Sequence, residues 1–112
     1  MLISGDVVEV DLGVPAGSEA GMVRPAVVVT ARRILAAEPR VVHVVPLTRT
    51  LRAHASEVRI EADAESGLEG DSSAQCQHVR AVAVSRVGEP AGNVGAVALA
   101  AIRDTLAVLL DL

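Results

Sequence analysis

The sequence predicts a small, mainly β domain that carries one α-helix at its C-terminus. Apolar and charged residues alternate early in the chain, valine-rich runs recur through its middle, and leucine and isoleucine recur at helical spacing near its end. Strands followed by a single helix are typical of a mostly antiparallel curved sheet, or open barrel, on which the helix packs. With 112 residues the chain has the length of one domain, which we expect to span residues 1–112.

The first half of the chain contains three predicted strands. The predicted order is a strand at 7–12, a long loop at 13–25, a buried strand at 26–30, a short helical turn at 32–37 and a valine-rich strand at 41–47. The first strand is predicted because Val8, Val10 and Leu12 alternate with two acids. The loop contains five glycines and prolines, which favour turns. Pro39 stops the helical turn, and Pro46 indicates an edge strand or a bulge.

The second half ends in the predicted helix. The predicted order is a basic loop at 48–55, a surface strand at 57–61, an acidic turn region at 63–70, two short strands or one bent strand at 72–87, and a helix at 96–111. The helix is predicted from apolar residues that fall on one face, namely Leu99, Ile102, Leu106, Leu109 and Leu110. Its N-cap is weak, because Gly95 stands where Ser or Asp is favoured.

The composition excludes several classes of protein. Apolar residues make up 51% of the chain, which argues against a disordered protein. Cys76 is alone, so the chain is not a disulfide scaffold. No apolar run approaches the ~18 residues of a membrane span, and the N-terminus lacks the basic flank of a secretory signal. We therefore expect a soluble, cytoplasmic domain.

The core is predicted to be thin. Twenty valines and 19 alanines supply 39 of the 112 residues, and Phe, Trp and Tyr are absent. Aromatic side chains normally supply the largest blocks of buried area, so burial here depends on many small groups. A domain with a thin core gains further burial in a subunit interface. The composition therefore favours an obligate homodimer.

Charge is distributed unevenly although the net charge is only -4. Residues 22–60 contain seven arginines and two acids, whereas residues 61–71 contain five acids and no base. A polyanion could meet the central basic block locally, because exposed charges beyond about 8–10 Å are screened. A solvated surface of mixed charge explains the same pattern.

The sequence lacks the motifs of several common catalytic sites. His43, His54, His78 and Cys76 show no zinc-ligand spacing, and no phosphate-binding, dinucleotide or serine-hydrolase fingerprint is present. Cys76 is expected to be a buried structural thiol, because free cysteine is among the most buried residue types. We expect neither a metal nor a cofactor.

Three segments together resemble the MazF/PemK family of toxin–antitoxin endoribonucleases. The first is GDVVEVDL at 5–12, followed by PAGSE at 15–19 and RPAVVV at 24–29. The second is VPLT at 45–48, and the third is GLEGDS at 67–72 with QHVR at 77–80 and SR at 85–86. These pieces cover nearly the whole chain, in order and at family spacing.

The resemblance implies an SH3-like antiparallel β-barrel with a C-terminal helix. It also implies a homodimer that cleaves single-stranded RNA at short sequences without a metal, and a cognate antitoxin that blocks the RNA groove. The Arg of the RP pair and the Thr of the PLT segment are catalytic on this resemblance. Those positions are Arg24 and Thr48 here.

Arg24 and Thr48 suit metal-free cleavage of RNA. The 2′-OH attacks the adjacent phosphate, and negative charge grows on the equatorial oxygens. A guanidinium can bind two such oxygens at once, and the Thr48 hydroxyl can donate a further hydrogen bond. Arg24 is a poor general base at neutral pH because a guanidinium stays protonated there, so the group that moves the proton stays open. An exposed loop charge paired with Glu19 is the alternative for Arg24, and a turn-initiating residue is the alternative for Thr48.

The three histidines carry different expectations. His78 stands where the family commonly has an amide. It could stack on or bond to a base, or act as a general acid, because histidine titrates near neutral pH. A strand histidine with satisfied hydrogen bonds is the alternative. His54 lies in the basic loop and is a weaker candidate, and His43 is expected to be packed among valines.

Five further residues are candidates for RNA binding. Ser18 and Glu19 are expected to shape the loop over the groove, where Glu19 could position Arg24 or accept from a base edge. Arg49, Thr50 and Arg52 could contact flanking phosphates and bases. A solvated loop is the alternative for the two arginines.

Two other functions compete with the ribonuclease. The first is a non-enzymatic toxin of the CcdB type, which shares the fold and binds DNA gyrase through an aromatic-bearing C-terminal end. The present chain ends TLAVLLDL without Trp. The second is a barrel that only binds a regulator and cuts nothing.

Overall fold

The computed structural model describes all residues from Met1 to Leu112. It contains seven strands and two helices. The strands are β1 (Asp6–Asp11), β2 (Val23–Val28), β3 (Val41–Thr48), β4 (Glu57–Ile60), β5 (Ser72–Gln75), β6 (Arg80–Ala83) and β7 (Gly92–Asn93). The helices are α1 (Arg32–Leu35) and α2 (Gly95–Leu110), and short 3₁₀ turns span Cys76–His78 and Val84–Arg86.

The strands form one curled antiparallel sheet. Its order is β4-β5-β3-β2-β1-β7, and β6 also pairs with β3. One edge of β3 pairs with β2, whereas its other edge pairs with β6 through Val41–Val44 and with β5 through Leu47 and Thr48. This change of partner bends the sheet towards a half-barrel. The predicted mainly β fold with a C-terminal helix is therefore confirmed.

Pro46 does not mark an edge strand. It is buried in β3, which lies in the middle of the sheet, and it pairs with Ala26 of β2. On the other edge of β3, Pro46 falls between Val44, which pairs with β6, and Leu47, which pairs with β5. A residue without an N–H disturbs little at the point where a strand exchanges one partner for another.

The two faces of the sheet carry two separate apolar clusters. Val8 and Val10 of β1 contribute to one cluster, together with Ala26, Val28 and residues of β3 and β6. Val7 points to the other face, where the second cluster includes Ile102 and Leu106 of α2. Successive strand residues alternate between faces, so each strand supplies both clusters. Only 29 of the 112 residues are buried, in line with the predicted thin core.

Helix α2 packs on the second cluster through one stripe. Leu99, Ile102 and Leu106 are buried as predicted, but Leu109 and Leu110 are exposed because the last turn extends past the covered part of the sheet. The N-cap residue of the helix, Val94, forms no side-chain cap, but the residue before it bonds to the first turn of the helix. The Asn93 Oδ1 atom accepts a hydrogen bond of 2.8 Å from the Gly95 N–H.

Three local predictions need correction. Strand β2 begins at Val23, so Arg24 and Pro25 lie on a strand and not in the loop, because β2 pairs with β1 as far as Asp11–Val23. Cys76 is buried as expected, but in a 3₁₀ turn and not in a strand. His43 is exposed, since β3 alternates and only Val42 and Val44 face the first cluster.

No helix in the structure has both the length and the apolar character that a membrane crossing requires.

Candidate functional site

Arg24 lies on β2, two residues before the buried Ala26 and on the same face of the sheet. Its Nε donates to the Gly21 carbonyl oxygen at 3.1 Å, and its Nη1 lies 3.5 Å from Gln75 Oε1 on β5. The guanidinium therefore reaches across β3. It forms no ion pair with Glu19. The two ion pairs of the structure join Arg52 to Glu57 and Arg59 to Asp71.

Arg24 and Thr48 flank an opening between two strands. The pairing of β2 with β3 ends at Ala26–Pro46, and this register, continued by two residues, sets Arg24 opposite Thr48. Beyond that point β2 stays paired with β1 through Val10–Arg24, and β3 stays paired with β5 through Thr48–Ser73. Opposite residues of an antiparallel pair share a face, so both side chains belong to the same face of the sheet.

The Thr48 hydroxyl keeps its proton available. Its Oγ1 accepts a hydrogen bond of 3.2 Å from the Thr50 N–H, which fixes the first turn of the loop that follows β3. An accepting hydroxyl can still donate its own hydrogen. Thr50 thus acts through its backbone here, while Thr48 retains a free donor.

Strands β4 and β5 extend this face with polar side chains. Glu57 of β4 pairs in register with Gln75 of β5, and Ser73 pairs with both Thr48 and Arg59. Ser73 and Gln75 are buried, at 3% and 7% exposure, although both are polar. We name as the polar face the set Arg24, Thr48, Arg52, Glu57, Ser73, Gln75 and Gln77.

Glu57 is the hub of the polar face. Its Oε2 accepts hydrogen bonds from Arg52 Nη2 at 2.7 Å and from Gln77 Nε2 at 2.8 Å. Its Oε1 accepts a hydrogen bond from the Ser73 hydroxyl at 3.0 Å. The Glu57 side chain is fully covered, whereas that of Arg52 is 42% exposed. Burial raises the pKa of Glu57, but the hydrogen bonds from Gln77, Ser73 and Arg52 outweigh it and hold the pKa below its usual value.

His78 and Glu19 come together at a second place. They line a small pocket of about 280 Å³ with Gln77 and Arg80. The Arg80 Nη1 donates to the Leu12 carbonyl oxygen at 3.2 Å, so Arg80 holds the start of the loop that carries Glu19. Gln77 belongs to this pocket and to the polar face, and it joins the two.

Ser18 is exposed in the same loop and forms no side-chain hydrogen bond. The loop is anchored nearby, because Ala20 is buried in the first apolar cluster. Pro15 packs so closely on Gly21 that a Cβ atom at Gly21 would lie 2.5 Å from the proline ring. The loop that precedes Arg24 is therefore held in shape by the contact between Pro15 and Gly21 and by the buried Ala20.

Arg49 lies apart from Arg24. Its guanidinium packs on Gly70, and it lines a cleft of about 540 Å³ together with Glu9, Glu69 and Glu89. The Ala62 N–H and the Arg59 guanidinium lower the pKa of Asp71, and the Arg49 charge adds to this effect. Arg49 thus faces acids, and Thr48 of the polar face also lines this cleft.

His54 also lies away from the polar face. It lines a shallow pocket with Asp104, Thr105 and Val108 of α2. No group of three or more His, Cys, Asp or Glu side chains is placed to hold a metal ion.

A family model describes almost the whole chain. Residues 3–110 match the PemK-like, MazF-like toxins of type II toxin–antitoxin systems. The chain belongs to this PemK/MazF family. The resemblance seen in the sequence is thereby confirmed.

Similar proteins support the family over its full length. Endoribonuclease MazF9 of Mycobacterium tuberculosis is 37% identical over 117 residues, which cover 100% of this chain and 98% of the relative. The Form-I crystal structure of MazF from Deinococcus radiodurans is 26% identical, covers 99% of this chain and 97% of its own, and has a TM-score of 0.82. The Form-III MazE–MazF structure from the same organism is 25% identical, with coverages of 99% and 97% and a TM-score of 0.77.

The part of this PemK/MazF chain that sequence reasoning missed is the group Glu57, Ser73, Gln75 and Gln77. The segment EVRI alternates charged and apolar residues, which was the available signal. Glu57 was predicted to lie on a surface strand because Val58 and Ile60 alternate with charged residues there. That alternation does not show its three hydrogen-bond donors, which come from three different segments. Only the pairing of β4 with β5 brings those donors together.

Proposed function

We propose that this PemK/MazF-family protein is an endoribonuclease toxin that cleaves single-stranded RNA without a metal. The substrate 2′-OH loses its proton and its oxygen attacks the adjacent phosphorus. The bond from phosphorus to O5′ breaks, and O5′ takes up a proton. The products are a 2′,3′-cyclic phosphate and a 5′-OH end. The family match and the endoribonuclease relative support this activity.

The observation that carries the proposal is the juxtaposition of Arg24 and Thr48 on one polar face. A phosphate bound in the opening between β2 and β3 would meet the Arg24 guanidinium from one side. It would meet the Thr48 hydroxyl from the other. A guanidinium binds two equatorial oxygens with parallel N–H groups, and it keeps its charge throughout the reaction. Preorganised donors of this kind are worth about 3–4 kcal/mol each in the transition state.

Arg24 is well suited to this task because its position is fixed before RNA arrives. The backbone of Arg24 pairs with Val10, and its Nε is held by the Gly21 carbonyl oxygen. The Nη1 contact with Gln75 is long, at 3.5 Å, so a phosphate can replace it at small cost. The remaining N–H groups of the guanidinium are then available to the substrate.

The remaining candidates take outer roles in this proposal. Arg52 and Thr50 contact RNA next to the cleaved bond, and His78 with Glu19 binds a neighbouring base. Ser18 shapes the loop at the edge of the groove. Arg49 contacts a flanking phosphate only where RNA crosses the cleft beyond Thr48.

A second copy of the chain and a cognate antitoxin are the proposed protein partners. The family consists of toxins of type II toxin–antitoxin systems, and one similar solved structure is a MazE–MazF structure. The exposed apolar side chains of α2 support a homodimer, since Val97 and Val108 are 88% and 82% exposed. We propose a cytoplasmic location, because cellular RNA is the proposed target.

The test is cleavage of a long RNA of mixed sequence in the presence of EDTA. Sequencing of the 5′-OH ends gives the cleavage motif, and periodate-resistant 3′ ends report the cyclic phosphate. We expect Arg24→Ala and Thr48→Val each to lower the single-turnover rate by about 10²–10³-fold. Arg33→Ala, which removes an exposed arginine of α1, is the matched control and should cleave normally. Cleavage by both site variants would place the site elsewhere, and an inactive wild-type protein would refute the proposal.

A further inference from the structure

Glu57 is an unexpected residue on a surface that is to bind a polyanion. Its carboxylate lies among Arg52, Ser73 and Gln77, on the face that carries Arg24 and Thr48. Simple electrostatics predicts that an acid at this place weakens RNA binding. The contacts of Glu57 indicate a different role.

The loop at 49–56 has few ties to the sheet. The Thr50 N–H bonds to the hydroxyl of Thr48 at its start, and the Cys76 N–H bonds to the Ser56 carbonyl oxygen at its end. Between them, the ion pair of Arg52 with Glu57 is the side-chain contact that joins the middle of the loop to the sheet. The Glu57 N–H also donates to the His54 carbonyl oxygen at 3.1 Å. Glu57 therefore fixes this loop through its backbone and its side chain.

The contact with Glu57 also orients Arg52. One N–H of the guanidinium points at the carboxylate, and a guanidinium has five N–H donors in a rigid planar fork. With one arm held, the other N–H groups of the fork remain available to a ligand, since the Arg52 side chain is 42% exposed. A free arginine in an exposed loop would have to lose about 2 kcal/mol of rotamer entropy before it could bind a phosphate.

Gln77 is oriented by the same carboxylate. Its Nε2 is the atom that donates to Glu57, so its Oε1 must point the other way. Gln77 is exposed and also lines the pocket that holds His78 and Glu19. The polar face thus presents an amide oxygen, which is an acceptor, at a fixed place.

We propose that Glu57 is a positioning residue for RNA binding: its buried carboxylate holds Arg52 with its free N–H groups towards a phosphate and Gln77 with its amide oxygen towards a base. This inference rests on the proposed ribonuclease function. In this proposal, the acidic residue Glu57 orients two side chains, Arg52 and Gln77, before RNA binds. The ordering of Arg52 and Gln77 favours RNA binding by more than the Glu57 carboxylate repels the phosphates. The repulsion is small because Arg52 compensates the negative charge and the carboxylate is covered.

Two substitutions distinguish the effect of the hydrogen bonds of Glu57 from the effect of its negative charge. Glu57→Gln keeps the shape, because its Oε1 can accept from Arg52 and Gln77 while its amide nitrogen donates to the Ser73 hydroxyl. Glu57→Ala removes every bond. If Glu57 acts through position, Glu57→Ala loses affinity and Glu57→Gln restores most of it. If its charge alone matters, both variants bind RNA at least as well as the wild-type protein.

The experiment measures binding of a noncleavable RNA oligonucleotide, which spans the mapped cleavage site and carries a 2′-deoxy group at the attacking position. We expect Glu57→Ala to weaken binding about tenfold, because a held charge-assisted contact is lost. The logarithmic salt slope should fall by about 0.7, as for the loss of one single-strand phosphate contact. Glu57→Gln should stay within about threefold of the wild-type protein. Glu61→Ala, an exposed acid just beyond β4, is the matched control for charge.

A double variant tests whether Glu57 acts through Arg52. The effect of Glu57→Ala should shrink to the part carried by Gln77 when Arg52→Ala is already present. A thermal unfolding curve of each variant checks that the variant is folded at the temperature of the binding assay. Unchanged or tighter binding by Glu57→Ala, or equal losses in the Ala and Gln variants, would overturn the inference while leaving the ribonuclease intact. A wild-type protein that neither binds nor cuts RNA would overturn both.

Discussion

Removal of the Asn93 side chain should destabilise the protein severely. Asn93 is the only asparagine of the chain, and its side chain forms three hydrogen bonds. Its Nδ2 donates at 3.1 Å to both the Ser4 carbonyl oxygen and Asp6 Oδ1, and its Oδ1 accepts from the Gly95 N–H. One side chain therefore joins the N-terminal segment, β1, β7 and the start of α2.

The magnitude follows from these three bonds. A hydrogen bond contributes about 0.5–1.5 kcal/mol net, and an acceptor left unpaired in a buried place costs more. Asp6 is 6% exposed, so its oxygen cannot be rehydrated freely once Nδ2 is gone. We expect Asn93→Ala to lower the free energy of unfolding by about 2–4 kcal/mol. Asn93→Asp should be at least as harmful, because it keeps the bond from the Gly95 N–H but sets a second carboxylate against Asp6.

Equilibrium unfolding in urea measures this effect. With an m-value of about 2 kcal/mol/M, in the middle of the range for small domains, the midpoint should fall by about 1–2 M at constant m. Protein concentration must be held fixed, because the stability of a dimer depends on it. Thr105→Ala is the control, since it removes only a hydroxyl bonded to the Ala101 carbonyl oxygen within α2. A midpoint for Asn93→Ala that matches the control would refute the reasoning.

Two further predictions concern titration. Burial raises the pKa of the Cys76 thiol to about 11, so a thiol reagent at pH 8 should label Cys76 only after unfolding in urea; stoichiometric labelling of the native protein would contradict this. The pKa of Glu57 is lower in the folded state than its usual value, so its stabilising effect is complete above that usual value and is lost as pH falls through the lower folded value. Urea midpoints at pH 7 and pH 3.5 should therefore differ more for the wild-type protein than for Glu57→Gln, and equal differences would count against the ion pair.

The strands were predictable where their two faces differ in polarity. Val8 and Val10 alternate with acids in β1, and the structure confirms that strand to within one residue at each end. In β3 the alternation is hidden, because both faces carry valine at positions 41–45. His43 was therefore predicted to be packed, although its neighbours Val42 and Val44 face the core and His43 does not. Local sequence cannot tell which face of a uniformly apolar strand a second layer will cover.

The candidate site was predictable in its residue types but not in its geometry. Arg24 and Thr48 could be named from the RP and PLT segments. Their common face depends on the register of β2 with β3, which is set by pairs distant in sequence. The contacts of Glu57 are harder still to predict from the sequence. Its three hydrogen-bond donors become neighbours only when β4 pairs with β5 and the chain turns at Cys76–His78.

The placement of Arg24 on a strand, and not in the preceding loop, changes what controls the site. Ala26 and Val28 of the same strand are completely buried in the first apolar cluster, and they fix β2 two residues away from the guanidinium. A functional group on a rigid element is held more precisely than one on a loop, because the backbone beneath it cannot drift. The same face of the sheet therefore serves as core at one end and as polar face at the other. Small valines and alanines suit this arrangement, because they fill the core end of the face and leave the large polar side chains as the groups that reach across its other end.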